Sequence, residues 1–397
     1  MDGETFLDLG ALPLANALLT ADAALSREPR YPLRLRLCRD CLLVQLESTV
    51  EPERLFTHYV FFSSYSQTWM AHCAAYVERV CERLRLTPAS NVVEIGSNDG
   101  HLLRMLQRRG IPVLGIEPAA NIAAMAEADG VPTEVAFFNA ETARGIRGRF
   151  PADLIVANNV FAHVPEIDSF VQGLALLLKP GGAVTIEVPH ILRMIQELQA
   201  DTIYHEHVFY FSLRSIETAL SRHGLSVYDL ELLPTHGGSL RIYAAHEDGR
   251  SASDAVFLTR KAERDAGLYN IETYREFADA VAAMKPKLAE FFSSAAHEGR
   301  RIVGYGASAK AVGLLNLAGS GARMLDYVVD RSPYKQGLLI PSAHLPIYAP
   351  ERVFETRPDY LLILAWNIKD EVMEQMSGIH GWGGRFVIPV PEPKIVP

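Results

Sequence analysis

Short apolar runs alternate with amphipathic stretches along the central part of the chain. Val92, Val93 and Ile95 form an apolar run, a glycine-rich turn follows, and helical spacing of apolar residues begins at His101. The same order of strand, turn and helix recurs as far as Pro189. Because parallel strands are joined by helical crossovers, this order predicts an α/β fold with a mostly parallel sheet and helices on both faces.

The first sixty residues follow a different pattern. Over residues 33–37 leucines alternate with arginines, which is the period-two pattern of a half-buried strand. Cys38 and Cys41 form a C-x-x-C turn, and residues 42–46 are expected to return as a second strand. We therefore predict a small β-rich N-terminal unit over residues 1–60.

Helical spacing returns in two places and separates the remaining units. Apolar positions over residues 66–86 recur every three or four residues, and we expect this helix to open a central unit that spans 61–246. After a polar stretch, a long helical stripe leads at Arg301 into another strand, glycine turn and helix. We expect residues 247–397 to form a C-terminal α/β unit with a helical linker.

Composition agrees with several soluble domains and narrows the classes of function. The chain of 397 residues is long enough for two or three domains, and 49% of its residues are apolar. The formal net charge of −9 disfavours a polynucleotide-binding surface, although it allows a local basic pocket for a small anion. We expect a small-molecule substrate and no nucleic-acid partner. The sequence does not determine the oligomeric state, for which a monomer is favoured.

Cysteine content and hydropathy predict where the protein resides. Four cysteines in a chain of this length are not a disulfide framework, and they suggest a reducing compartment. No stretch reaches the about 18 consecutive apolar residues that a membrane helix needs. The N-terminal residues include acids where a secretory signal has basic residues. We therefore expect a cytoplasmic protein with no membrane partner.

The turn after the first central strand has the spacing G-x-x-x-G, with Glu94 before it and Asp99 inside it. Such acids would repel a pyrophosphate, but they suit a cofactor that presents an amine and a sulfonium. Glu117 ends the next strand, where a carboxylate can accept two ribose hydroxyls. These features resemble the S-adenosylmethionine site of class I methyltransferases, and the alternative is a structural turn with incidental acids. The candidate cofactor-binding residues are Glu94, Gly96, Ser97, Asn98, Asp99, Gly100, Glu117 and Asn158.

A run of titratable residues follows the last predicted strand of this sheet. It reads Tyr204-His205-Glu206-His207. A histidine, with an ordinary pKa of about 6.5, can accept a proton at neutral pH. A neighbouring glutamate can orient the ring, and a tyrosine hydroxyl can donate to a developing oxyanion. A His-x-His metal pair and a solvated polar loop are the alternatives, although the zincin spacing H-E-x-x-H is absent.

Two other segments contribute candidates for the same site. His163 follows the third strand, at the sheet edge where such sites are built, although a core or capping histidine is equally consistent with the sequence. The string YVFFSSYS is rich in aromatic and hydroxyl side chains, which makes Tyr59 and Ser64 candidates. Because an aromatic stripe is more often core than site, packing is the alternative for this string.

Two glycine turns in the second half of the chain are suited to hold an anion. The first, in THGGSLR, carries His236 and Arg241, and it could instead close a β-hairpin. The second, in GYGASAK, reads G-x-G-x-x-A and carries Ser308 and Lys310 at the start of a predicted helix, where a phosphate can bind. NAD binding and a purely structural turn are the alternatives for the second turn.

Taken in order, these strings resemble the sugar C-methyltransferases that act on nucleotide-linked ketosugars in deoxysugar biosynthesis. The matching strings are LDLGALPLAN, a C-x-x-C followed by LVQL, YVFFSSYS, EIGSNDG, NNVFAHV, YHEH with YFS, HGGSLR, GYGASAK and DRSPYKQG. The resemblance covers nearly the whole chain. It implies a zinc-binding N-terminal domain, a class I methyltransferase domain with a Rossmann-like fold, and a C-terminal Rossmann-like domain that binds substrate without a redox cofactor.

The resemblance also implies roles for individual residues. His207 would be the general base, with Tyr204 and Glu206 beside it. His163 and Tyr59 would line the same site. The candidates for substrate binding are Ser64, His236, Arg241, Ser308 and Lys310, of which the last two would hold the diphosphate of a nucleotide sugar. Thymidine diphosphate is the nucleotide that the resemblance implies.

The sequence departs from the family pattern at the zinc site. The family uses two C-x-x-C pairs, whereas this chain carries one, Cys38 and Cys41. Because a structural zinc needs four ligands, we expect an incomplete metal site. A smaller departure is Phe61, where the family often has tyrosine.

Two other functions stay open from the sequence. An O- or N-methyltransferase acting on a sugar or another small molecule would use the same cofactor domain without a carbon acid. An NAD-type oxidoreductase, or a nucleotide-sugar binding module, would use the glycine turn at Gly304 and Gly306.

Overall fold

Three β-sheets organise the chain. The computed structural model describes residues 3–25, 28–56, 66–247 and 250–396. The first sheet contains β1 (Gly3–Leu12), β2 (Tyr31–Cys38), β3 (Val44–Leu46) and β9 (Phe209–Tyr210). These strands are antiparallel and lie in the order β1-β2-β3-β9. Because β9 comes from the middle of the chain, the N-terminal unit and the central unit share one sheet.

The central sheet carries the alternating strands that the hydrophobic pattern predicts. Its described strands are β4 (Val92–Ile95), β5 (Val113–Ile116), β6 (Thr133–Glu134), β7 (Ala152–Asn158), β8 (Leu178–Pro189), β10 (Leu225–Leu233) and β11 (Ser239–His246). They lie in the order β10-β11-β8-β7-β4-β5-β6. Strands β4 to β8 pair in parallel, and β10 and β11 add an antiparallel hairpin. The predicted α/β fold with a mostly parallel sheet is confirmed.

Helices cover both faces of the central sheet. They are α1 (Pro52–Phe56), α2 (Gln67–Leu84), α3 (His101–Gln107), α4 (Ala120–Ala128), α5 (Ala140–Arg147), α6 (Ile167–Leu177), α7 (Ile191–Gln196) and α8 (Leu213–Ser221), of which α1 belongs to the N-terminal segment. Helices α2 and α3 bury Tyr76, Val80 and Leu103 against one face. Helices α5 and α6 bury Ile146 and Phe170 against the other. The apolar positions that repeat at helical spacing are therefore the ones that face the sheet.

A second parallel sheet forms the C-terminal unit. Its elements are α9 (Asp254–Asp265), α10 (Ile271–His297), β12 (Ile302–Tyr305), α11 (Ala309–Ala318), β13 (Leu325–Val329), β14 (Ile347–Tyr348), α12 (Arg352–Thr356), β15 (Tyr360–Ile363), α13 (Lys369–Gln375), β16 (Arg385–Ile388) and β17 (Lys394–Val396). The strand order is β14-β13-β12-β15-β16-β17. All pairs are parallel except β16 with β17. The strand, glycine turn and helix predicted from Arg301 onward correspond to β12 and α11.

The long helix α10 joins the C-terminal unit to the N-terminal sheet. Its apolar stripe, from Tyr274 to Phe292, is buried in a core that also contains Leu35 and Val312. Phe6 of β1 packs against Tyr274 with ring centroids 5.2 Å apart. Among the described residues, none of the helices combines the length and the apolar character required to cross a bilayer.

A buried carboxylate fastens α9 to the central unit. Glu263 accepts hydrogen bonds from the amides of Leu213 and Arg214 at 2.5 and 3.2 Å, at the start of α8. Its Oε1 also lies 2.9 Å from Nε2 of His190, which follows β8. Both side chains of this pair are buried. Three connections therefore converge on one negative charge at a helix N-terminus, where the helix dipole favours it.

We predict that Glu263→Ala lowers the free energy of unfolding by about 3 kcal/mol, because it leaves a buried histidine and two helix amides without their partner. Urea unfolding followed by circular dichroism measures the change. Asp265→Ala on the same helix is the control, since its ion pair with Lys261 is exposed and should contribute no more than about 0.5 kcal/mol. Equal midpoints for the two variants would contradict the assignment.

Candidate active site

A cleft of about 860 Å³ opens where the three units meet. The carboxyl ends of β4, β5 and β7 supply one wall, and the loop between α7 and α8 supplies another. The N-terminal and C-terminal units close the remaining sides. Lining residues include Asn16, Gly96, Glu117, Asn158, His207 and Lys310. The cleft therefore lies at the sheet edge where α/β folds bind their ligands.

The glycine-rich turn between β4 and α3 depends on left-handed backbone conformations. Gly96 and Gly100 have φ angles of 66° and 70°, and Asn98 has 49°. The amide of Gly96 donates to the carbonyl of Ile116 at 2.8 Å, which ties the turn to β5. A Cβ at Gly96 would lie 3.1 Å from Val160. Glycine therefore allows the turn to approach the loop after β7 closely.

The predicted cofactor-binding residues fall into two groups. Those on the cleft wall are Gly96, Asn98, Glu117 and Asn158, whereas Glu94, Ser97, Asp99 and Gly100 lie behind it. The Ser97 hydroxyl packs against Gly115, where an added Cβ would lie only 2.5 Å from Oγ. Gly100 begins α3. These two residues shape the turn rather than face the cleft.

Buried acids surround the turn. Glu117 accepts from the amides of Asn98 and Ala119 at 3.0 and 2.9 Å, and burial raises the pKa of its carboxyl. Burial, with Asp99 and Glu117 nearby, raises the pKa of Glu94 well above its usual range. Oε2 of Glu94 has no hydrogen-bond partner among the described residues. A bound cation would relieve this clustering of carboxyls, so the residues fit a cofactor that carries an amine and a sulfonium.

The loop after α7 brings Tyr204 and His207 together in the cleft. Nδ1 of His207 lies 3.0 Å from the carbonyl of Thr202, and a carbonyl can only accept, so Nδ1 carries the proton. Nε2 is then an acceptor, and the Tyr204 hydroxyl donates to it at 2.8 Å. Burial, followed by the nearby His163, lowers the pKa of His207 well below its usual range. The His207 ring is therefore neutral, and its basic Nε2 accepts a hydrogen bond from the Tyr204 hydroxyl.

Within this string, the two residues between Tyr204 and His207 face elsewhere. Glu206 is buried and accepts from the side-chain amide of Asn16 at 2.7 Å. Nε2 of His205 lies 3.1 Å from the carbonyl of Tyr31. We expected a neighbouring glutamate to orient the His207 ring. The contacts show that the carbonyl of Thr202 orients it instead. The site is a hydrogen-bonded pair of side chains, supported from behind by the N-terminal unit.

His163 lies on the cleft wall beside the pair. It ends the short turn Phe161–His163 after β7, and its ring centroid is 5.0 Å from that of His207 in an edge-on arrangement. Phe56 packs on it from the N-terminal segment at 5.5 Å. Burial lowers the pKa of His163 to about 4. The sequence allowed His163 to be either a site residue or a core or capping residue, and the structure favours a site residue because His163 lines the cleft.

His236 occupies the hairpin turn between β10 and β11 and also lines the cleft. Its backbone has a φ of 55°, and Asn159, opposite it, has 54°. Nε2 of His236 lies 3.3 Å from Nδ2 of Asn159. Burial, together with Lys310, lowers the pKa of His236 to about 4. The two functions considered for this turn therefore coincide, since it closes a hairpin and presents its side chain to the cleft.

Arg241 is not on the cleft, which corrects its predicted role in substrate binding. It is buried, and its guanidinium donates to Glu187 at 2.5 Å and to Glu231 at 3.4 Å. The same group lies 4.4 Å from the ring centroid of Tyr76. Although burial opposes it, His72 and Arg241 hold the pKa of Glu187 at about 2. The positive charge is thus already matched by internal carboxylates, and none of it is offered to a ligand.

The C-terminal unit places both predicted anion-binding residues on the cleft wall. Oγ of Ser308 has no hydrogen-bond partner among the described residues. Nζ of Lys310 donates to the carbonyl of His236 and to Oδ1 of Asn367, each at 3.3 Å. The ammonium lies 4.9 Å from the ring centroid of Trp366, and burial lowers its pKa. Lys310 therefore ties the C-terminal unit to the hairpin turn while it faces the cleft.

The G-x-G-x-x-A turn is not arranged for a dinucleotide. Oδ2 of Asp330 accepts from the amide of Ala307 at 2.8 Å, within the turn itself. Lys335 donates to the carbonyl of Ala307 at 2.8 Å and lies 3.5 Å from the same Asp330 oxygen. A pyrophosphate would need this amide, which an internal carboxylate already occupies. The structure therefore disfavours the NAD alternative.

Several cleft residues were not predicted from the sequence. They are Asn16, Phe56, Trp69, Asn159, Trp366 and Asn367. Asn16 and Asn159 stand in the strings LDLGALPLAN and NNVFAHV, so their position in a shared motif was an available signal. The others carry no local pattern that separates them from core residues. Tyr59 and Ser64 lie outside the described residues.

The two cysteines of the N-terminal unit do not make a metal site by themselves. Cys38 and Cys41 are free thiols at the end of β2 and in the turn after it. Among the described residues there is no group of three or more His, Cys, Asp or Glu side chains that could hold a metal ion. Since a structural zinc needs four ligands, this donor set does not fit one.

Three family profiles cover the chain almost end to end. The family described as C-methyltransferase C-terminal domain matches residues 234–391. The family described as Methyltransferase domain matches residues 66–230. A small domain family named for zinc binding matches residues 1–56. The class I methyltransferase fold of the central unit is thereby confirmed, and its cofactor is S-adenosylmethionine.

Curated relatives fall into a full-length and a partial group. The chain is 36% identical over 392 residues to the C-methyltransferase NovU of Streptomyces niveus, covering 98% of this chain and 93% of NovU. It is 38% identical over 95 residues to a ubiquinone biosynthesis O-methyltransferase of Methylobacterium sp. (strain 4-46), covering 23% of this chain and 37% of that protein. The full-length similarity therefore extends to all three units, whereas the second spans about a quarter of the chain.

Solved structures match about half of the chain. The PH0226 protein from Pyrococcus horikoshii OT3 is 11% identical with a TM-score of 0.37, covering 50% of this chain and 100% of that one. The magnesium protoporphyrin IX methyltransferase from Synechocystis PCC 6803, solved with bound SAM, is 14% identical with a TM-score of 0.34, covering 45% and 79%.

We predict that Glu117→Gln weakens the binding of S-adenosylmethionine by about tenfold or more, because hydrogen bonds to a charged acceptor contribute about 1.5–3 kcal/mol. Glutamine keeps the size of the side chain and one acceptor for the turn. Isothermal titration calorimetry measures the dissociation constant. Glu127→Gln on α4, which is exposed, is the matched control. An affinity within twofold of the wild type would remove Glu117 from the cofactor site.

Proposed function

This chain belongs to the C-methyltransferase family, and from that premise we propose that it methylates a carbon next to the ketone of a nucleotide-linked keto-deoxysugar. Thymidine diphosphate is the nucleotide we expect. The observation that carries the proposal is the neutral His207, whose Nε2 accepts from the Tyr204 hydroxyl in the cleft that also contains the cofactor turn.

The chemistry of a carbon nucleophile explains why a base is needed. A saturated carbon does not attack a methyl donor unless it first loses a proton. A neighbouring ketone makes that proton acidic, because the resulting charge is delocalised onto oxygen as an enolate. The enzyme must therefore hold a base near the carbon and a hydrogen-bond donor near the oxygen.

We assign the base to His207. Its proton is fixed on Nδ1 by the Thr202 carbonyl, so the lone pair of Nε2 is available to take the substrate proton. The Tyr204 hydroxyl, and His163 beside it, are the donors within reach of a developing enolate oxygen. Binding of substrate would replace the hydrogen bond between Tyr204 and His207 with two bonds to the substrate.

The cofactor turn supplies the second half of the reaction. When bound, S-adenosylmethionine supplies an electrophilic methyl group for the carbanion. Glu117 and Asn158, on the same wall, would hold the cofactor and would take no part in bond making. The cleft volume of about 860 Å³ lies at the upper end of the range for small-molecule sites, which leaves space for two ligands side by side.

We assign the diphosphate of the substrate to the wall formed by the C-terminal unit. Ser308 immediately precedes helix α11 and lines the cleft, and its Oγ has no hydrogen-bond partner among the described residues. Lys310 and Lys335 lie on the same wall and bring positive charge to it. A diphosphate held by the Ser308 hydroxyl and two lysine ammonium groups does not need the Ala307 amide that Asp330 occupies. We also propose the unit boundaries 1–60, 61–246 and 247–397 on the basis of the three sheets.

We predict that His207→Ala abolishes methyl transfer and also abolishes the exchange of the substrate proton for solvent deuterium in the absence of cofactor. NMR of a thymidine diphosphate-linked keto-deoxysugar in D₂O measures the exchange. S-adenosylmethionine should still bind by calorimetry, because His207 is not in the cofactor turn. Near-normal turnover in this variant would contradict the assignment of His207 as the base. Methyl transfer by the wild type without any exchange would favour an O- or N-methyltransferase.

The activity should also persist below the ordinary pKa of histidine. His207 accepts a proton only while it is neutral, and burial lowers its pKa, so the fraction of active enzyme is retained as the pH falls. We predict that the acid limb of kcat/KM lies well below about pH 6.5. A pH–rate profile measures it, and a limb at or above that value contradicts the assignment. Thermal unfolding at each pH is the control, because His163 and His236 must also gain protons on unfolding in acid.

A further inference from the structure

The catalytic loop, residues 202–210, is supported largely by the N-terminal unit. It connects α7 to α8 of the central unit, and two of its side chains, Tyr204 and His207, line the cleft. Loop residues that lie between and after these two contact the N-terminal unit instead. Tyr204 and His207 therefore face the cleft, whereas residues 205, 206 and 208 attach the loop to the N-terminal unit.

Asn16 makes a partly buried hydrogen bond to Glu206 of the catalytic loop. Its Nδ2 donates to Oε1 of Glu206 at 2.7 Å, across 190 residues of sequence. Glu206 is buried, whereas Asn16 is partly exposed and lies on the cleft wall. A hydrogen bond to a charged acceptor in a buried setting is stronger and more directional than one between neutral groups. The amide therefore fixes the orientation of the Glu206 carboxylate.

Backbone hydrogen bonds continue this attachment along the loop. Nε2 of His205 lies 3.1 Å from the carbonyl of Tyr31, at the start of β2. The amide of Leu46 donates to the carbonyl of Val208 at 2.8 Å. Beyond it, β9 pairs with β3, with Tyr210 opposite Val44. The loop is therefore an extension of the N-terminal sheet as much as a part of the central unit.

The segment that carries Asn16 is itself held at its other end. Leu19 and Leu339 exchange backbone hydrogen bonds of 3.0 and 2.8 Å, which join the segment to the C-terminal unit. Leu12 and Ala15 are buried in the core that also contains Ile203. Asn16 is thus placed by packing on both sides, so its amide has little freedom to follow a moving carboxylate.

The carboxylate that Asn16 holds acts on the reactive pair. After burial itself, Glu206 is the largest cause of the raised pKa of Tyr204. A protonated Tyr204 is the species that donates to Nε2 of His207. Tyr204 and His207 lie on either side of Glu206 in the loop, so a displacement of Glu206 would disturb the hydrogen bond between them.

We propose that Asn16 is a positioning residue for proton abstraction: through its hydrogen bond to Glu206 it anchors the loop that carries Tyr204 and His207. The N-terminal unit is then part of the catalytic apparatus through its contacts with the loop, independently of any metal. This inference rests on the proposed function, since it assigns Asn16 to the first step of that reaction.

The first test is Asn16→Ala, assayed with a thymidine diphosphate-linked keto-deoxysugar. We expect kcat and the deuterium exchange rate to fall together by about tenfold or more, with KM changed by less than about threefold. The dissociation constant of S-adenosylmethionine should not change. Thr5→Val is the control within the same unit, because Thr5 is exposed and its hydroxyl donates to the surface residue Glu47. A kcat within twofold of the wild type would overturn the proposal.

A second variant, Asn16→Asp, separates positioning from a general loss of structure. Aspartate matches asparagine in shape but replaces the donor with a carboxyl that repels Glu206, so activity at neutral pH should fall at least as far. When the pH is lowered, the pair shares a proton, and a protonated Asp side chain can donate to Glu206 again. The activity of Asn16→Asp relative to the wild type should therefore rise as the pH falls, whereas that of Asn16→Ala should stay flat. Parallel profiles for both variants would overturn the proposal.

A spectroscopic measurement distinguishes failure of this inference from failure of the proposed function. In the free protein, the ¹⁵N resonance of His207 Nε2 reports its hydrogen bond from Tyr204 and needs no substrate. We expect it to shift in Asn16→Ala and to stay in place in Thr5→Val. If the wild type neither exchanges nor methylates the sugar, the proposed function fails and this resonance alone decides the role of Asn16. An unchanged resonance in Asn16→Ala would overturn that role.

Discussion

The hydrogen bond from His207 Nδ1 to the carbonyl of Thr202 is the contact on which the proposed chemistry of the cleft depends. Because a carbonyl only accepts, this bond fixes the tautomer and leaves Nε2 as the basic atom. Burial supplies the second condition, since a solvated ring would be partly charged near neutral pH. The surrounding residues maintain these two conditions: Tyr204 directs the lone pair, and His163, covered by Phe56, excludes water from one side of the ring. Residues of all three units line the cleft around the His207 ring.

Features encoded within a few consecutive residues could be predicted from the sequence. The central strands follow from short apolar runs and the helices from apolar residues repeated every three or four positions, and the predicted α/β fold is confirmed. The location of His163 and Glu117 on one edge follows from the rule that parallel strands end on the same side of a sheet. The pair Tyr204 and His207 could be named because titratable residues of this density are rare outside a site. What linked these segments to one reaction was a resemblance spread over the whole chain, which no single motif carried.

Contacts between distant segments could not be predicted in this way, because they depend on strand order and on packing. Arg241 and Lys310 both stand near glycine turns and looked equivalent in the sequence. The pairing of β11 with β8 places Arg241 opposite Glu187, which takes up its charge, while Lys310 begins a helix that faces the cleft. The bond between Asn16 and Glu206 crosses 190 residues, and neither residue carries a local pattern that names the other. The specific side-chain partners within the site could therefore be identified only from the three-dimensional structure.

The shared first sheet has a consequence for how the protein is made. Strands β1, β2 and β3 are complete once residue 46 has been synthesised, yet the outer edge of β3 pairs with β9, which ends at Tyr210. During translation, that edge leaves the ribosome well before its partner and offers unpaired backbone groups to other chains. Short length limits the hazard, because β3 has three residues. A nascent chain that ends before Thr202 lacks both β9 and the loop that carries Tyr204 and His207.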